Sequence, residues 1–116
     1  MKRTILKSKI HRAKVTDANL AYTGSISLCP KLIAAADLLE FEKVDIYNCN
    51  NGERFSTYVI LGKENEVCLN GAAARLVQPE DLVIVASYAE YDSTEWGSHK
   101  PSLVFVDDNN DIATIS

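Results

Sequence analysis

The sequence predicts a small, mainly β fold, a barrel with one or two short helices. The chain has 116 residues, which is the size of one domain and enough to bury a core without disulfide or metal crosslinks. Short runs rich in β-branched residues alternate with turn-forming residues throughout. Only two short stretches have helical character. Residues 1–116 are therefore expected to form a single domain.

The N-terminal part of the chain is predicted to contain one long strand and one helix. Thr4–Val15 alternates loosely between apolar and polar residues, which indicates a strand with one solvated or functional face. Residues 17–25 have the composition of a turn. Pro30 suits the first position of a helix, and the apolar residues that follow, as far as Leu39, lie at helical spacing.

A β-hairpin is predicted next. Val44–Tyr47 and Arg54–Leu61 flank Asn50-Asn51-Gly52, whose central residues tolerate the positive φ of a tight turn. In a regular strand Thr57 and Tyr58 would then point to opposite faces. Either the strand is irregular there or the two residues act on different sides of one site.

The remaining segments complete the barrel. Ala72–Leu76 is expected to form one or two helical turns, and Leu82–Ala86 and Leu103–Val106 are continuous apolar runs, as in central strands. Ile112–Ile115 offers a short closing strand. Residues 92–101, with glycine, proline and several polar side chains, are expected to be the least ordered connection.

Charge is distributed unevenly along the chain. Residues 1–24 hold six basic residues and one acidic residue, a net charge of +5, whereas residues 25–116 hold six basic and fifteen acidic residues, a net charge of −9. A basic arm can bind nucleic acid, but the acidic remainder would repel a phosphate backbone. We expect no nucleic-acid partner, although a non-catalytic barrel that binds nucleic acid through residues 1–24 stays an alternative.

The cysteine spacing and the hydropathy of the chain indicate the kind of cellular compartment in which the protein works. Cys29, Cys49 and Cys68 are too widely spaced for a zinc motif, so we expect three buried, reduced thiols and no metal. No apolar run approaches the ~20 residues that span a membrane, and no secretory signal is recognisable. A soluble, cytoplasmic protein without a membrane partner is expected.

Five blocks of sequence together carry a resemblance to a known family. The blocks are Lys9–Ala13, Tyr22–Ile26, Asn51–Tyr58, Leu69–Arg75 and Asp81–Ile84. A Gly-Ser pair alone would indicate only an ordinary turn, but the order and spacing of all the blocks agree. The chain resembles the aspartate 1-decarboxylase family, small self-processing enzymes that make their own pyruvoyl group.

The resemblance implies that the precursor, a zymogen, cuts itself between Gly24 and Ser25 into a β chain, residues 1–24, and an α chain, residues 25–116. Glycine leaves its carbonyl open to attack, and the Ser25 hydroxyl can reach that carbonyl in an N-to-O acyl shift. Elimination from the resulting ester breaks the chain. Loss of ammonia then leaves a ketone, the pyruvoyl group, at the new N-terminus.

The resemblance further implies decarboxylation of L-aspartate. The substrate amine would form a Schiff base with the pyruvoyl group, the only cofactor, and loss of CO₂ would give β-alanine for pantothenate and coenzyme A biosynthesis. Tyr58 matches the proton donor. Thr57 matches a residue that serves both processing and substrate binding, and His11 is expected to assist processing.

Substrate binding is assigned to two groups of residues by the same resemblance. Lys9 and Arg54 are the cations for the two carboxylates of aspartate. We expect the planar guanidinium of Arg54 to bind the side-chain carboxylate, which remains after CO₂ is lost. The second group combines Tyr22, which should line the pocket beside Gly24, with a loop whose small residues let backbone N–H groups approach an anion at a helix start. It comprises Tyr22, Asn70, Gly71, Ala72 and Ala73.

The family fold implied is a double-psi β barrel of about six strands, assembled as a homotetramer with active sites at subunit boundaries. The sequence leaves open whether maturation is spontaneous or needs a helper protein. One catalytic alternative also stays open: a self-processing hydrolase that would use Ser25, freed by cleavage, as its N-terminal nucleophile.

Overall fold

A computed structural model describes all 116 residues and confirms a mainly β protein with two short helices. Its strands are β1 (Arg3–Lys14), β2 (Asp17–Asn19), β3 (Ser25–Leu28), β4 (Lys43–Asn48), β5 (Arg54–Leu61), β6 (Val67–Asn70), β7 (Leu82–Tyr91), β8 (Ser102–Val106) and β9 (Ile112–Ile115). The α-helix α1 spans Pro30–Ala35, and a 3₁₀ helix spans Gly71–Leu76.

The nine strands form one sheet in the order β2-β6-β3-β5-β4-β7-β1-β8-β9. The segment from β1 to β2 joins its two halves, because β1 pairs with β7 and β8 while β2 pairs with β6. Between them the Val15 N–H donates to the Asp81 carbonyl and the Thr16 N–H donates to the Val67 carbonyl, both at 2.8 Å. The sheet thereby curls back on itself like a small barrel.

A continuous apolar core fills the space inside this curled sheet. It consists of 18 buried residues from every strand except β2 and β9, together with residues of α1 and the loops. The largest completely buried side chains include Ile10, Ile26, Leu28, Leu32 and Ile46. Strand β3 is buried along its whole length. The burial of β3 therefore fixes the position of the Gly24-Ser25 peptide at its start.

The predicted hairpin is confirmed, but its turn differs from the expected one. Strands β4 and β5 pair antiparallel, and the loop between them has five residues, 49–53, of which only Gly52 adopts a positive φ, 79°. Asn51 instead uses its side chain: Oδ1 accepts from the Glu53 N–H at 2.9 Å, and Nδ2 donates to the Leu76 carbonyl at 3.0 Å. The Asn51 side chain therefore ties the hairpin loop to the 3₁₀ helix.

Two expectations about local structure were wrong. Asp17–Asn19 forms strand β2 and not a turn, because β6 offers it a parallel partner. The helical spacing extended to Leu39, but the helix ends at Ala35. Leu39 lies beyond it and is largely exposed. Asp37, at a φ of 52°, takes the chain out of the helical path.

Two further expectations need correction. Cys49 is exposed, whereas Cys29 and Cys68 are buried as expected. Strand β7 continues to Tyr91, five residues past Ala86, because the long strand β1 pairs with it from Arg3 onward. The sheet counts nine strands, two of which, β2 and β9, have only three and four residues, and it agrees with the small β barrel that was expected.

The connection 92–101 contains consecutive turns at residues 93–98 and is fastened to β1 and β7. The Arg3 guanidinium carbon lies 4.9 Å from the Trp96 ring centroid. His99 stacks on Tyr91 at 4.2 Å between centroids, and its Nε2 lies 2.8 Å from the Leu6 carbonyl oxygen. The connection is thus held by aromatic contacts that its composition did not predict. None of the helices is long and apolar enough to cross a membrane.

Candidate active site

The Gly24-Ser25 peptide lies where the chain enters the barrel. Ser25 begins β3, which is held between β5 and β6, and it is 1% exposed. Its hydroxyl donates to the Thr23 carbonyl at 2.9 Å. A serine that is almost wholly buried, next to a glycine and with its hydroxyl held by the preceding turn, differs from the ordinary surface turn that a Gly-Ser pair usually forms.

Asn70 faces Ser25 across the sheet. The two residues are directly opposed in the antiparallel pair of β3 and β6. Asn70 Nδ2 donates to Ser25 Oγ and to Ser27 Oγ, both at 3.0 Å. The Cys68 thiol in turn donates to Asn70 Oδ1, with Sγ 3.2 Å away. These four side chains form one buried polar network beside the Gly24-Ser25 bond.

Gly71 packs directly on Gly24. A Cβ on Gly71 would lie 2.6 Å from Gly24 Cα and 2.8 Å from Gly24 N, and the φ of Gly71 is 67°. The contact distance leaves no room for a side chain on residue 71, and the positive φ would strain most other residues. The first residue of the 3₁₀ helix therefore fixes the position of the Gly24 backbone.

A cavity of about 370 Å³ opens beside this peptide. It is lined by Gly24, Phe55, Ser56, Thr57, Tyr58, Asn70, Ala72, Ala73 and Leu76. Six predicted site residues thus lie around one space. Small side chains from the 3₁₀ helix form part of the wall, which leaves room for a small molecule next to Gly24.

Thr57 and Tyr58 reach this cavity from a regular strand. The pairing of β5 with β4 is unbroken from Arg54 to Tyr58, so the strand is not irregular there. The two side chains leave the strand on opposite faces, yet both residues line this cavity. Thr57 lies opposite the buried Val44. Tyr58, on the other face, is half-buried and packs on Phe41, with 6.3 Å between ring centroids.

Lys9 and His11 do not lie at the cavity that their own chain forms. Both belong to β1, which is separated from β5 by β7 and β4 in the sheet, and neither lines the cavity. The His11 ring packs edge-on against Phe105 at 5.4 Å, and its buried Nδ1 has no partner. Burial lowers the pKa of His11, and the positive charges of Lys9 and Arg12 lower it further.

Arg54 lies next to the cavity, over an aromatic ring. Its guanidinium carbon is 3.8 Å from the Tyr47 ring centroid, in a neighbouring pocket that shares Phe55 and Ser56 with the main cavity. Tyr47 Oη is 2.9 Å from Tyr88 Oη. Burial, followed by this hydrogen bond, raises the pKa of Tyr47 to about 12, so the ring under Arg54 stays neutral.

Tyr22 occupies a position on the opposite side of the Asn70 network. Its side chain is exposed and lines a second cavity, to which Ser27, Cys68 and Asn70 also contribute. The Tyr22 carbonyl lies 3.2 Å from where a Cβ on Gly71 would stand. Tyr22 is therefore near the cleavage peptide but does not line the main cavity.

Sequence reasoning missed Ser27 and Cys68. Both lie one strand repeat from a predicted site residue, Ser27 from Ser25 and Cys68 from Asn70, so each pair shares a face. The two-residue period of a β-strand could therefore have predicted that Ser27 and Cys68 lie near the site. Phe55, Ser56 and Leu76, which line the cavity, were also not singled out for the site.

The fold and the site define a small, mainly β barrel with a buried Gly-Ser peptide at a cavity. A sequence model of the family described as Aspartate decarboxylase matches residues 1–113. A protein of Hydrogenobaculum sp. (strain Y04AAS1) named Aspartate 1-decarboxylase is 59% identical over 115 residues, covering 99% of this chain and 92% of its own. One of the same name from Syntrophus aciditrophicus is 60% identical over 97% of this chain and 98% of its own.

The chain therefore belongs to the aspartate decarboxylase family, and the resemblance stated from the sequence is confirmed. It is accordingly an enzyme of the decarboxylase class, a lyase.

Proposed function

We propose that this chain cleaves itself at Gly24-Ser25, generates a pyruvoyl group from Ser25, and decarboxylates L-aspartate to β-alanine and CO₂. The observation that carries the proposal is the buried Ser25 hydroxyl, which lies beside a glycine peptide at a cavity lined by Thr57 and Tyr58. Family membership supports the substrate. The product would enter pantothenate and coenzyme A biosynthesis.

Self-cleavage begins with an acyl shift. Ser25 Oγ bonds to the Gly24 carbonyl carbon, the Gly24–Ser25 C–N bond breaks, and the hydroxyl proton passes to the Ser25 nitrogen. Loss of the Ser25 Cα proton with scission of the Cβ–O bond then frees the Gly24 carboxylate and leaves dehydroalanine. Water adds to this residue and ammonia leaves, so that a ketone remains.

The residues around Ser25 suit these steps. The Asn70 Nδ2 donor 3.0 Å from Ser25 Oγ stabilises the oxygen that becomes part of the departing carboxylate. Thr57 lines the same cavity as Gly24, where its hydroxyl can bond the Gly24 carbonyl. Gly71 holds the Gly24 backbone in place through van der Waals contact.

The surroundings also fit the mature group. The pyruvoyl group supplies a ketone that condenses with an amine and withdraws electrons as CO₂ leaves. Tyr58 holds a phenolic proton at the cavity wall and delivers it to the substrate carbon. Ala72 and Ala73 leave space for the substrate, and Arg54 binds its surviving carboxylate with two parallel hydrogen bonds.

The site is completed by a neighbouring chain in a homotetramer. Lys9 and His11 do not line the cavity of their own chain, so a second chain would have to supply them. Leu39 and Phe41, which are 74% and 69% exposed, offer apolar surface for such a contact, and Phe41 packs on Tyr58. The wholly non-catalytic alternative, a nucleic-acid binder, has no support in the family.

The experiment that tests this function is a decarboxylation assay on the purified protein. L-Aspartate should be converted to equal amounts of β-alanine and CO₂ without added cofactor. Prior treatment with hydroxylamine or phenylhydrazine, which react with ketones, should abolish turnover. A hydrolase that uses a free Ser25 amine would release no CO₂ from aspartate and would resist these reagents, so either result would contradict the proposal.

A further inference from the structure

The network around Asn70 leaves its amide only one favourable orientation. The nitrogen places its two hydrogens on two hydroxyl oxygens, those of Ser25 and Ser27. The oxygen receives the Cys68 thiol. An amide group is nearly symmetric in shape, so its partners decide which of its ends points at Ser25.

The orientation of the amide matters for the Ser25 hydroxyl. With nitrogen toward Ser25, Oγ accepts from Asn70 and its own hydrogen goes to the Thr23 carbonyl. With the amide reversed, Oδ1 would compete with Thr23 for that hydrogen. It would also set a partial negative charge against the oxygen that leaves as a carboxylate during elimination.

Ser27 and Cys68 form the side of the network away from the cleaved bond. They are directly opposed across β3 and β6, two residue pairs along from Ser25 and Asn70. Both are nearly completely buried, at 8% and 5% exposure. A reversed amide would turn Asn70 Nδ2 toward Cys68 Sγ, which accepts hydrogen bonds only weakly.

The thiol is held in the form that donates. Burial, followed by the negative charges of Glu66 and Asp17, raises the pKa of Cys68 to about 11. The sulfur therefore keeps its proton at neutral pH. A thiolate would accept from Nδ2 and favour the reversed amide.

We infer that Cys68, with Ser27, is a positioning residue for self-cleavage: its thiol fixes the Asn70 amide with nitrogen toward Ser25. Neither residue touches the bond that breaks, and both act through Asn70. The inference rests on the proposed function, since it assumes that Ser25 is the cleavage nucleophile.

The test follows the appearance of the two chains over time in freshly synthesised full-length protein. Cys68→Ala removes the donor and should slow cleavage by about threefold to tenfold, the effect of one modest hydrogen bond. Cys68→Ser keeps a donor in a similar volume and should cleave at close to the wild-type rate. Cys49→Ala, which removes an exposed thiol outside the network, should match wild type.

The possible results distinguish failure of the positioning role of Cys68 from failure of the proposed self-cleavage. A wild-type chain that never cleaves would refute the proposed function. A wild-type chain that cleaves, with Cys68→Ala equally fast or with Ala and Ser variants equally slow, would refute the positioning role alone. If Cys68→Ala does not fold, Ser27→Ala replaces it: slower cleavage supports the inference, and a wild-type rate overturns it.

Discussion

Gly71 lies against Gly24 so closely that a methyl group on Gly71 would stand 2.6 Å from Gly24 Cα. The contact joins the start of the 3₁₀ helix to the peptide bond proposed to break. It explains why a glycine occupies the left-handed conformation here, where asparagine would satisfy φ but not the space.

Gly71→Ala should therefore impair both folding and self-cleavage. The strained φ costs about 1 kcal/mol, and displacement of Gly24 by the new methyl should add roughly 1–3 kcal/mol. Chemical denaturation and the rate of chain cleavage measure the two effects. Gly52→Ala is the matched control, since Gly52 also has a positive φ but nothing lies within 4 Å of its added Cβ.

The control distinguishes strain from contact. Gly52→Ala should lose only the strain energy and should cleave normally. Equal destabilisation and equal cleavage in the two variants would show that the contact with Gly24 has no role.

Arg54→Lys should impair aspartate turnover and leave chain cleavage intact, because lysine keeps the charge but lacks the planar fork. The loss in kcat/KM should correspond to roughly 2 kcal/mol, the value of a charge-assisted hydrogen bond. Steady-state kinetics on fully cleaved protein measures it. Arg75→Lys, an exposed replacement on the 3₁₀ helix, should be silent. Unchanged kinetics in Arg54→Lys would reject the carboxylate-binding role.

Tyr58→Phe should separate maturation from catalysis. It deletes the phenolic hydroxyl and keeps the ring that packs on Phe41. The variant should cleave normally and lose about 10²- to 10⁴-fold in kcat, the usual contribution of a positioned general acid. Slow or misplaced protonation could also aminate the ketone and inactivate the enzyme over many turnovers.

Two measurements check the Tyr58 prediction. β-Alanine formation reports the rate, and the mass of the α chain reports any amination. Tyr91→Phe is the control, because Tyr91 stacks on His99 away from the cavity. An unchanged rate in Tyr58→Phe would mean that water or another residue delivers the proton.

Glu42 links the two proposed chains through Lys7. Lys7 Nζ and Ser87 Oγ each lie 2.8 Å from Glu42 Oε2, and the Leu39 N–H lies 3.0 Å from Oε1. Burial acts to raise the pKa of Glu42, but these hydrogen bonds together outweigh it, and the net pKa is lowered. The ion pair therefore stabilises the folded protein above the pKa of an unfolded glutamate.

The stabilisation should be lost as the pH falls through the pKa of folded Glu42. Glu42→Gln should lower the free energy of unfolding at pH 7 by about 1 kcal/mol, a value reduced by solvent screening. The difference from wild type should shrink below about pH 4. Urea denaturation at several pH values measures it, with the exposed Glu40→Gln as control. A difference that is constant with pH would contradict the assignment.

The sequence predicted the elements whose signals are local. Period-two patterning was enough for β1 and β5, and the turn residues at 50–52 were enough for the hairpin. Strand β2 could not be foreseen, because its three residues become a strand only through pairing with β6, about fifty residues further along the chain. The same limit applies to Leu39, which fits the helical period but lies beyond Asp37, where the helix path is broken.

The candidate site shows the same division. Gly24, Ser25, Thr57, Tyr58 and Asn70 were found through the family blocks, and the structure places them together. The Cys68 thiol was expected only to be buried, because its bond to Asn70 depends on the register of β3 and β6. The pairing register depends on the whole sheet and cannot be predicted from the sequence of either strand alone.

The intact mass of the α chain shows whether Ser25 has become a pyruvoyl group. We predict two chains, residues 1–24 and 25–116. The larger chain should be lighter by one ammonia than a chain that begins with serine, and it should be blocked to Edman sequencing. Ser25→Ala should remain a single folded chain without decarboxylase activity. A larger chain that begins with an intact serine, or a Ser25→Ala variant that still divides and releases CO₂, would show that Ser25 is not the source of a pyruvoyl group.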